Sequence, residues 1–368
     1  MAAREPRAWV LNLDAEHELE RPRAYTPSRH LAALVAREQR RVMPGLLLPG
    51  DLVLDPSAPD FAERQARARG LAGACWSPTP RALRLLERAG ARLPAAPAVE
   101  VLRAVNARPF AAALRALLLG QRWLEPAEWT APSAASLPAG WQPSPPAHPG
   151  QALDPALSSF EKRIALTLEQ ALTRLAAPAP LGWLVRRAFG AAGRGRRRLR
   201  AGKPTEAELA WLAASLRLGP LTIEPFVEIQ REFTRSAWLA ADGTLTLAGP
   251  CYQSVDPHGA WQATAASDRH TPLDPAVDAC LAATLEAVGR ALHAAGYFGP
   301  FGIDAYEHRR LDGRGSALNP LSEINARFTM DFTAARPLAE RALGELVGAA
   351  SAAPGFRAPG GSAPAPAS

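Results

Sequence analysis

Two rhythms of hydrophobic spacing run along the chain. Short apolar stretches of four to eight residues predict strands, and apolar positions three and four residues apart predict helices. The stretch AWVLNLDAE (8–16) reads as a first strand that turns at its acids. SRHLAALVAREQRRV (28–42) has the helical spacing, with Ser28 placed as N-cap. GDLVL (50–54) is a short strand, and AGACWSPTPRALRLLERAG (72–90) predicts strand, turn and a helix ended by Gly90. Strands and helices alternate, so residues 1–100 are expected to form a small α/β domain.

The pattern then turns helical over AVEVLRAVNARPFAAALRALL (98–118). The stretch near 130–155 is dense in Pro, Ser and Gly and predicts a long exposed insertion without regular structure. Helix resumes in SSFEKRIALTLEQALTRLAA (158–177), and the strand GWLVRRAF leads into a glycine- and arginine-rich loop. TEAELAWLAASL (205–216) predicts a helix opened by a capping box of Thr205 and Glu208. Strands dominate from Leu221 to Pro250, PAVDACLAATLEAVGRALHAAG (275–296) reads as a helix, and a hairpin is expected from Gly302 to Phe328. LAERALGELVGAASAA (338–353) predicts a last helix, followed by a low-complexity tail, 353–368, expected to be disordered. The chain has no internal repeat.

Composition narrows the function classes. The 368 residues are 48% hydrophobic, enough for a large core, yet no apolar run approaches the roughly 20 residues that span a bilayer. The first residues lack the basic-then-apolar order of a secretion signal, and the three cysteines lack metal-ligand spacing, so a reduced cytoplasmic setting is expected. The formal charge of +7 is carried almost entirely by arginine; Lys162 and Lys203 are the only lysines. No module interleaving aromatic and basic residues accompanies that charge, so it reads as compositional bias, and neither a nucleic-acid nor a membrane partner is expected.

Candidate chemistry gathers in three stretches. In LSEINARFTM (321–330), Glu323, Asn325 and Arg327 alternate with Ile324 and Ala326, so on a strand the three polar groups share one face. A hairpin would bring Asp304 beside them. Two carboxylates and an amide oxygen are hard ligands suited to Mg²⁺, and an arginine two residues on could hold a phosphoryl group or a carboxylate. A solvated strand face carrying a salt bridge explains the same residues. The loop after WLVRR holds Gly190, Gly193 and Gly195, whose backbone N–H groups could approach phosphate oxygens, but it is not the P-loop pattern, and taken alone it reads first as a basic surface loop. In IEPFVEIQREFT (223–234), apolar residues interleave with Glu224, Glu228 and Glu232, as a purine slot with a ribose-binding acid would require and as a half-buried edge strand would also show. Ser77 and Thr79, at the end of a first-domain strand, suit either an acid substrate or a helix N-cap. His258 reads as a surface turn histidine, with contact to substrate near the phosphates as the alternative, and Cys251 and Cys280 as core thiols.

The order of these pieces is more informative than any one of them. A basic strand with a Gly-rich loop precedes an E-P-x-V strand, then a helix, an Asp-bearing strand and E-x-N-x-R. From about Val101 to Val347 this succession resembles the ATP-grasp superfamily of ATP-dependent ligases. The resemblance implies an α+β fold in which two α+β subdomains clamp ATP, here 101–220 with the Pro-rich insertion and 221–352 with the metal site, preceded by the α/β domain of 1–100. It implies that Asp304, Glu323 and Asn325 bind Mg²⁺ and that Arg327 steadies the transferred phosphoryl group or the acyl phosphate. The Gly190–Gly195 loop closes over the phosphates, Glu224 to Val227 meet the adenine mainly through backbone groups, and Glu232 binds the ribose with Glu228 as substitute. Arg186 and Arg108 match two phosphate-binding lysines of the family, Arg186 on the strand and Arg108 earlier in the small subdomain. Arginine at both is a departure, since a planar fork is not a compact ammonium. The implied reaction activates a small carboxylic acid as an acyl phosphate and joins it to an amine, such as an amino acid. A nucleotide-binding module without ligase activity, and a kinase that phosphorylates a hydroxyl, are the alternatives. A homodimer is common in such ligases, and the sequence leaves the oligomeric state open.

Overall fold

A computed structural model describes residues 5–21, 25–119, 164–190, 194–200, 202–256, 261–268, 270–311 and 315–333. The Pro-rich insertion, Gly193, His258, the expected helix at 338–353 and the tail lie outside the described residues.

The chain begins with a three-stranded parallel sheet ordered β2–β1–β3, from β1 (Arg7–Val10), β2 (Leu52–Val53) and β3 (Ala72–Cys75). Around it lie α1 (Ala15–Glu20), α2 (Arg29–Leu46), α3 (Phe61–Ala68) and α4 (Pro80–Arg88). Ser28 caps α2 as expected, its hydroxyl accepting from Leu31 N–H at 3.2 Å. The acids after β1 do not turn the chain away. They open α1, and Asp14, Glu16 and Glu18 are all buried because each finds a partner. Such pairing crosses between elements, and local propensity carries no trace of it.

Helices α5 (Val99–Asn106) and α6 (Arg108–Leu119) follow, separated by Ala107, whose φ of −75° and ψ of 130° break the helix for one residue. A four-stranded antiparallel sheet, ordered β4–β7–β5–β6, is built from β4 (Ile164–Ala165), β5 (Trp183–Arg187), β6 (Arg196–Leu199) and β7 (Leu221–Pro225). It carries α7 (Leu168–Leu175) and α8 (Glu206–Leu216), the latter opened by the expected capping box of Thr205 and Glu208. Two expectations fail here. The helix sought from residue 158 is preceded by β4, and part of the glycine- and arginine-rich segment forms β6. Cross-strand partners rather than local sequence make both: β4 pairs with β7, and β6 with β5. The chain leaves this sheet after Pro225.

The last unit is a five-stranded antiparallel sheet ordered β10–β9–β8–β11–β12, from β8 (Ile229–Leu239), β9 (Leu245–Val255), β10 (Trp261–Ala266), β11 (Gly299–Arg309) and β12 (Ser316–Asn325). Helix α9 (Pro275–Ala294) buries Leu285, Val288 and Leu292 in the core that also holds Leu102, Leu114, Phe301, Ile303 and Ile324. A second core joins this sheet to the first one. Phe328 stands among Trp9 (5.6 Å between ring centroids), Trp76 (6.3 Å), Trp238 (6.4 Å) and Phe332 (5.1 Å), and its N–H donates to Trp76 O at 3.1 Å. The α+β class is therefore the one expected. All three cysteines are buried and free, and burial pushes their thiols up, Cys280 to about 11 and Cys75 and Cys251 to about 12. Among the described residues no helix is long and apolar enough to cross a membrane.

Candidate functional site

The site begins with strand register. Directly opposed residues in antiparallel strands point to the same face. Across β8, β11 and β12 three such rows stack: Ser236, Gly302 and Asn325; Thr234, Asp304 and Glu323; Glu232, Tyr306 and Asn319. One face of this sheet thus gathers four of the residues singled out from sequence. Asp304 and Glu323 are direct partners, and Asn325 Nδ2 donates to Asp304 Oδ2 at 3.0 Å. Ile303 and Ile324 point the other way, into the core against α9.

Arg327 leaves the end of β12 between two fixed neighbours. Asn106 of α5 clamps the backbone of Ala326, accepting from its N–H at 2.9 Å and donating to its carbonyl at 3.3 Å, while Phe328 is locked in the aromatic core. The Arg327 side chain reaches across to α1. Its Nε donates to Glu16 Oε1 at 3.2 Å, Nη2 donates to the same oxygen, and Nη2 also donates to Asn325 Oδ1 at 2.8 Å. Burial works against the charge of Arg327, but the Glu16 carboxylate holds its pKa above the ordinary value.

Arg108, at the start of α6, ties the two sheets together. Its Nη2 lies 2.9 Å from Glu323 Oε1 and donates to Gly190 O at 2.6 Å, and its Nη1 donates to Arg187 O at 3.1 Å. The residue therefore grips the base of the glycine-rich loop and a carboxylate of the facing sheet together. Gly190 and Gly195 are closely confined. A Cβ on Gly190 would come within 2.3 Å of Arg194 O, and Gly195, at φ +72°, accepts from Arg187 N–H at 2.8 Å.

Arg186 and Glu224 lie on one face of the four-stranded sheet. Arg186 Nη2 donates to Glu224 Oε2 at 2.7 Å, and Arg115 of α6 binds the other oxygen of the same carboxylate. Burial opposes the Arg186 charge, but Glu224 and then Glu323 hold it above its usual value. The Glu224 carboxylate is thus bound on both oxygens, which leaves its backbone groups as the ones the sequence reading assigned to the adenine. Val227 is buried, and Phe226 N–H donates to Gly182 O at 2.8 Å. A cleft of about 620 Å³, lined by Pro180, Leu181, Gly182, Arg198 and Arg200, opens at this end of the sheet. Of the two candidate ribose acids, Glu228 is exposed and 3.8 Å from Arg309, while Glu232 is half-buried on the Asp304 face. Burial raises the Glu232 pKa and the nearby Arg196 lowers it. Arg196, the cross-strand partner of Arg186, has its own pKa lowered by burial and then by Arg186 and Arg108.

Ser77 and Thr79 are fully buried. Thr79 donates to Glu18 at 2.6 Å and accepts from Asn12 at 3.0 Å, and its side chain makes no cap bond to α4. Thr79 does occupy the N-cap position of α4, but its hydroxyl is spent on Glu18 and Asn12 instead of the helix, and neither enclosed side chain can meet a substrate, so that expectation is corrected.

Among the described residues no three His, Cys, Asp or Glu side chains form a metal cluster. The donor set here is two carboxylates and an amide, which is chemically suited to a hard cation such as Mg²⁺. Burial and then the Glu323 carboxylate push the Asp304 carboxyl up to about 7, against the pull of Asn325 and Arg327. Two acids that repel one another in a half-buried place suit a cation between them. The sign for stability follows. Folded Asp304 keeps a proton that the unfolded chain loses near pH 4, so stability falls as pH rises from about 4 to about 7. Asp304→Asn, which cannot ionise, is expected to melt higher than wild type at pH 8 in EDTA, with the gain fading toward pH 4. Calorimetry across that range checks it, and a gain that does not depend on pH refutes it.

Sequence reasoning missed Glu16, Asn106, Arg115 and Arg196. Only the acid-rich DAEHELE gave any signal, and it read as a turn.

No family model and no curated protein matches the chain. Solved structures do resemble it. N5-carboxyaminoimidazole synthetase from Staphylococcus aureus, complexed with ADP, is 10% identical with a TM-score of 0.43, covering 88% of this chain and 71% of that one. The biotin carboxylase β,γ-ATP complex from Campylobacter jejuni is 14% identical with a TM-score of 0.47, covering 92% and 71%. N5-carboxyaminoimidazole ribonucleotide synthetase from Thermus thermophilus is 18% identical with a TM-score of 0.41, covering 88% and 71%.

Proposed function

We propose that this chain is an ATP-grasp ligase that activates a small carboxylic acid with ATP and joins it to an amine. The observation that carries this reading is the opposed pair Asp304 and Glu323, with Asn325 and Arg327 beside it and Arg108 linking it to the glycine-rich loop of the second sheet. The domain division at 1–100, 101–220 and 221–352 belongs to the same proposal.

Asp304, Glu323 and Asn325 would hold Mg²⁺. When bound, the ion neutralises charge on the nucleotide phosphates. An amide ligates through its oxygen, and here Asn325 turns its nitrogen to Asp304 and its oxygen to Arg327. Ligation by Asn325 therefore requires that side chain to turn over. Arg327, fixed by its backbone neighbours, meets negative charge that develops on the transferred group. Gly190, whose carbonyl Arg108 grips, and Gly195 would lie beside the phosphates, where exclusion of water would protect an acyl phosphate from hydrolysis. The cleft at Gly182 and Arg198, next to the Glu224–Val227 segment, is the candidate place for the adenine, and Glu232 for the ribose.

One observation favours a second reading, a nucleotide-binding module that no longer ligates. Arg108 and Arg186, at the two lysine positions, are already paired with Glu323 and Glu224. A phosphate-release screen of amino acids and small carboxylic acids, with ATP and Mg²⁺ and mass spectrometry of each hit, separates the readings. A condensed product supports the ligase. Stabilisation by MgATP without phosphate release from any pair supports the binding module, and a stable phosphorylated hydroxyl marks a kinase.

A further inference from the structure

Asn325 and Asp304 stand on one sheet, but the hydrogen bonds around them lead out of it. Asp304 accepts from Asn325 Nδ2, Asn325 Oδ1 accepts from Arg327, and Arg327 ends on Glu16 of α1, in the N-terminal unit. Glu16 is 5% exposed, and Arg327 approaches it with both Nε and Nη2. The acids on either side in the same helix are otherwise engaged. Asp14 binds Arg81 at 3.0 Å, and Glu18 accepts from Thr79 at 2.6 Å and Arg81 N–H at 2.8 Å. Glu16 alone of the three points to Arg327.

We infer that Glu16 is a positioning residue for the cation site: it anchors Arg327 toward α1 and so away from the Asp304 and Glu323 carboxylates. The inference rests on the cation-site reading above. Its physical content is that a buried carboxylate fixes a guanidinium that would otherwise turn toward Asp304 and Glu323. Near those two acids, a loose arginine would compete with a cation for the same oxygens. Glu16 keeps Arg327 from doing so, and the N-terminal unit becomes part of the site although it supplies no ligand. Partners behind metal ligands commonly change metal affinity by about 10–100-fold when removed.

The test is Mn²⁺ binding by the full chain, followed by electron paramagnetic resonance with and without ADP, beside ligand-free melting. Glu16→Gln keeps the size of the side chain and loses its charge, and it is expected to weaken Mn²⁺ binding about tenfold or more. Glu16→Asp keeps the charge and is expected to fall between the two, which keeps the test open should Glu16→Gln fail to fold. Glu18→Gln disturbs the same helix without touching Arg327 and should lower the melting temperature while leaving Mn²⁺ affinity unchanged. Equal Mn²⁺ affinity in wild type and Glu16→Gln overturns the positioning role and leaves the ligase reading standing. Equal weakening by Glu18→Gln also overturns it, because the effect would then belong to the fold of α1. Wild-type protein that binds no Mn²⁺ under either condition removes both the positioning role and the cation site on which it rests.

Discussion

Glu323→Ala is expected to reduce Mg²⁺-dependent ATP turnover by about a thousandfold or more, since losing a metal's hold on phosphate oxygens removes several kcal/mol of transition-state stabilisation. The fold should survive. Glu323 stands at a half-buried position, its side chain 20% exposed, and Arg108 keeps its bonds to the carbonyls of Gly190 and Arg187 when the carboxylate is gone. The stability change should stay within about 1–2 kcal/mol, in the range of ordinary point substitutions. Phosphate release and a melting curve on the same preparation check both halves. Turnover equal to wild type would refute the assignment, and loss of turnover together with unfolding would show that Glu323 serves the fold instead.

The second large effect is on stability. Glu224 is 2% exposed and receives Arg186 on one oxygen and Arg115 on the other, and these arginines are themselves 7% and 3% exposed. Arg115 also donates to Leu321 O at 3.0 Å, so the carboxylate sits where α6, β5, β7 and β12 meet. Glu224→Gln leaves two buried guanidiniums without the negative charge between them. Breaking a buried pair from one side costs about 3–5 kcal/mol, because the remaining charge has no water to return to. Denaturant unfolding, with the slope held in common, should show a loss of that size. A loss below about 1 kcal/mol would mean that solvent reaches the group and that the two sheets are joined in some other way. The same network bears on Arg108 and Arg186, which the proposed function sets at lysine positions. A guanidinium can bridge a carboxylate and carbonyl oxygens together, as Arg108 does, whereas a lysine offers one compact charge.

Much of the local structure was legible because it is local. Ser28 and the Thr205–Glu208 box announce helix starts from neighbouring residues, and both form the expected bonds. The alternation through Glu323 and Asn325 predicted one shared face, and the hairpin partner Asp304 stands in direct register with Glu323, whereas Arg327, expected on that face, lies beyond the end of β12. Where the reading failed, the cause lay at long sequence distance. Strand β4 has two residues and exists because Thr222 and Leu221 lie opposite. Strand β6 carries three consecutive arginines, a poor strand by propensity, and is held by β5. Helix α1 and its cap bury three acids that look solvent-directed until Arg81, Thr79 and Arg327 are brought to them.

The sequence by itself determined the periodicities, hence which residues could share a strand or helix face, and it placed hard oxygen donors along one such face. Periods of 2 and 3.6 are properties of the backbone, so no distant contact is needed to read them. Tertiary structure alone decided which charges neutralise which. Glu16 meets Arg327 across 311 positions, and Arg115 meets Glu224 across 109. Ion pairing depends on distance and burial in space, and neither is encoded by spacing along the chain.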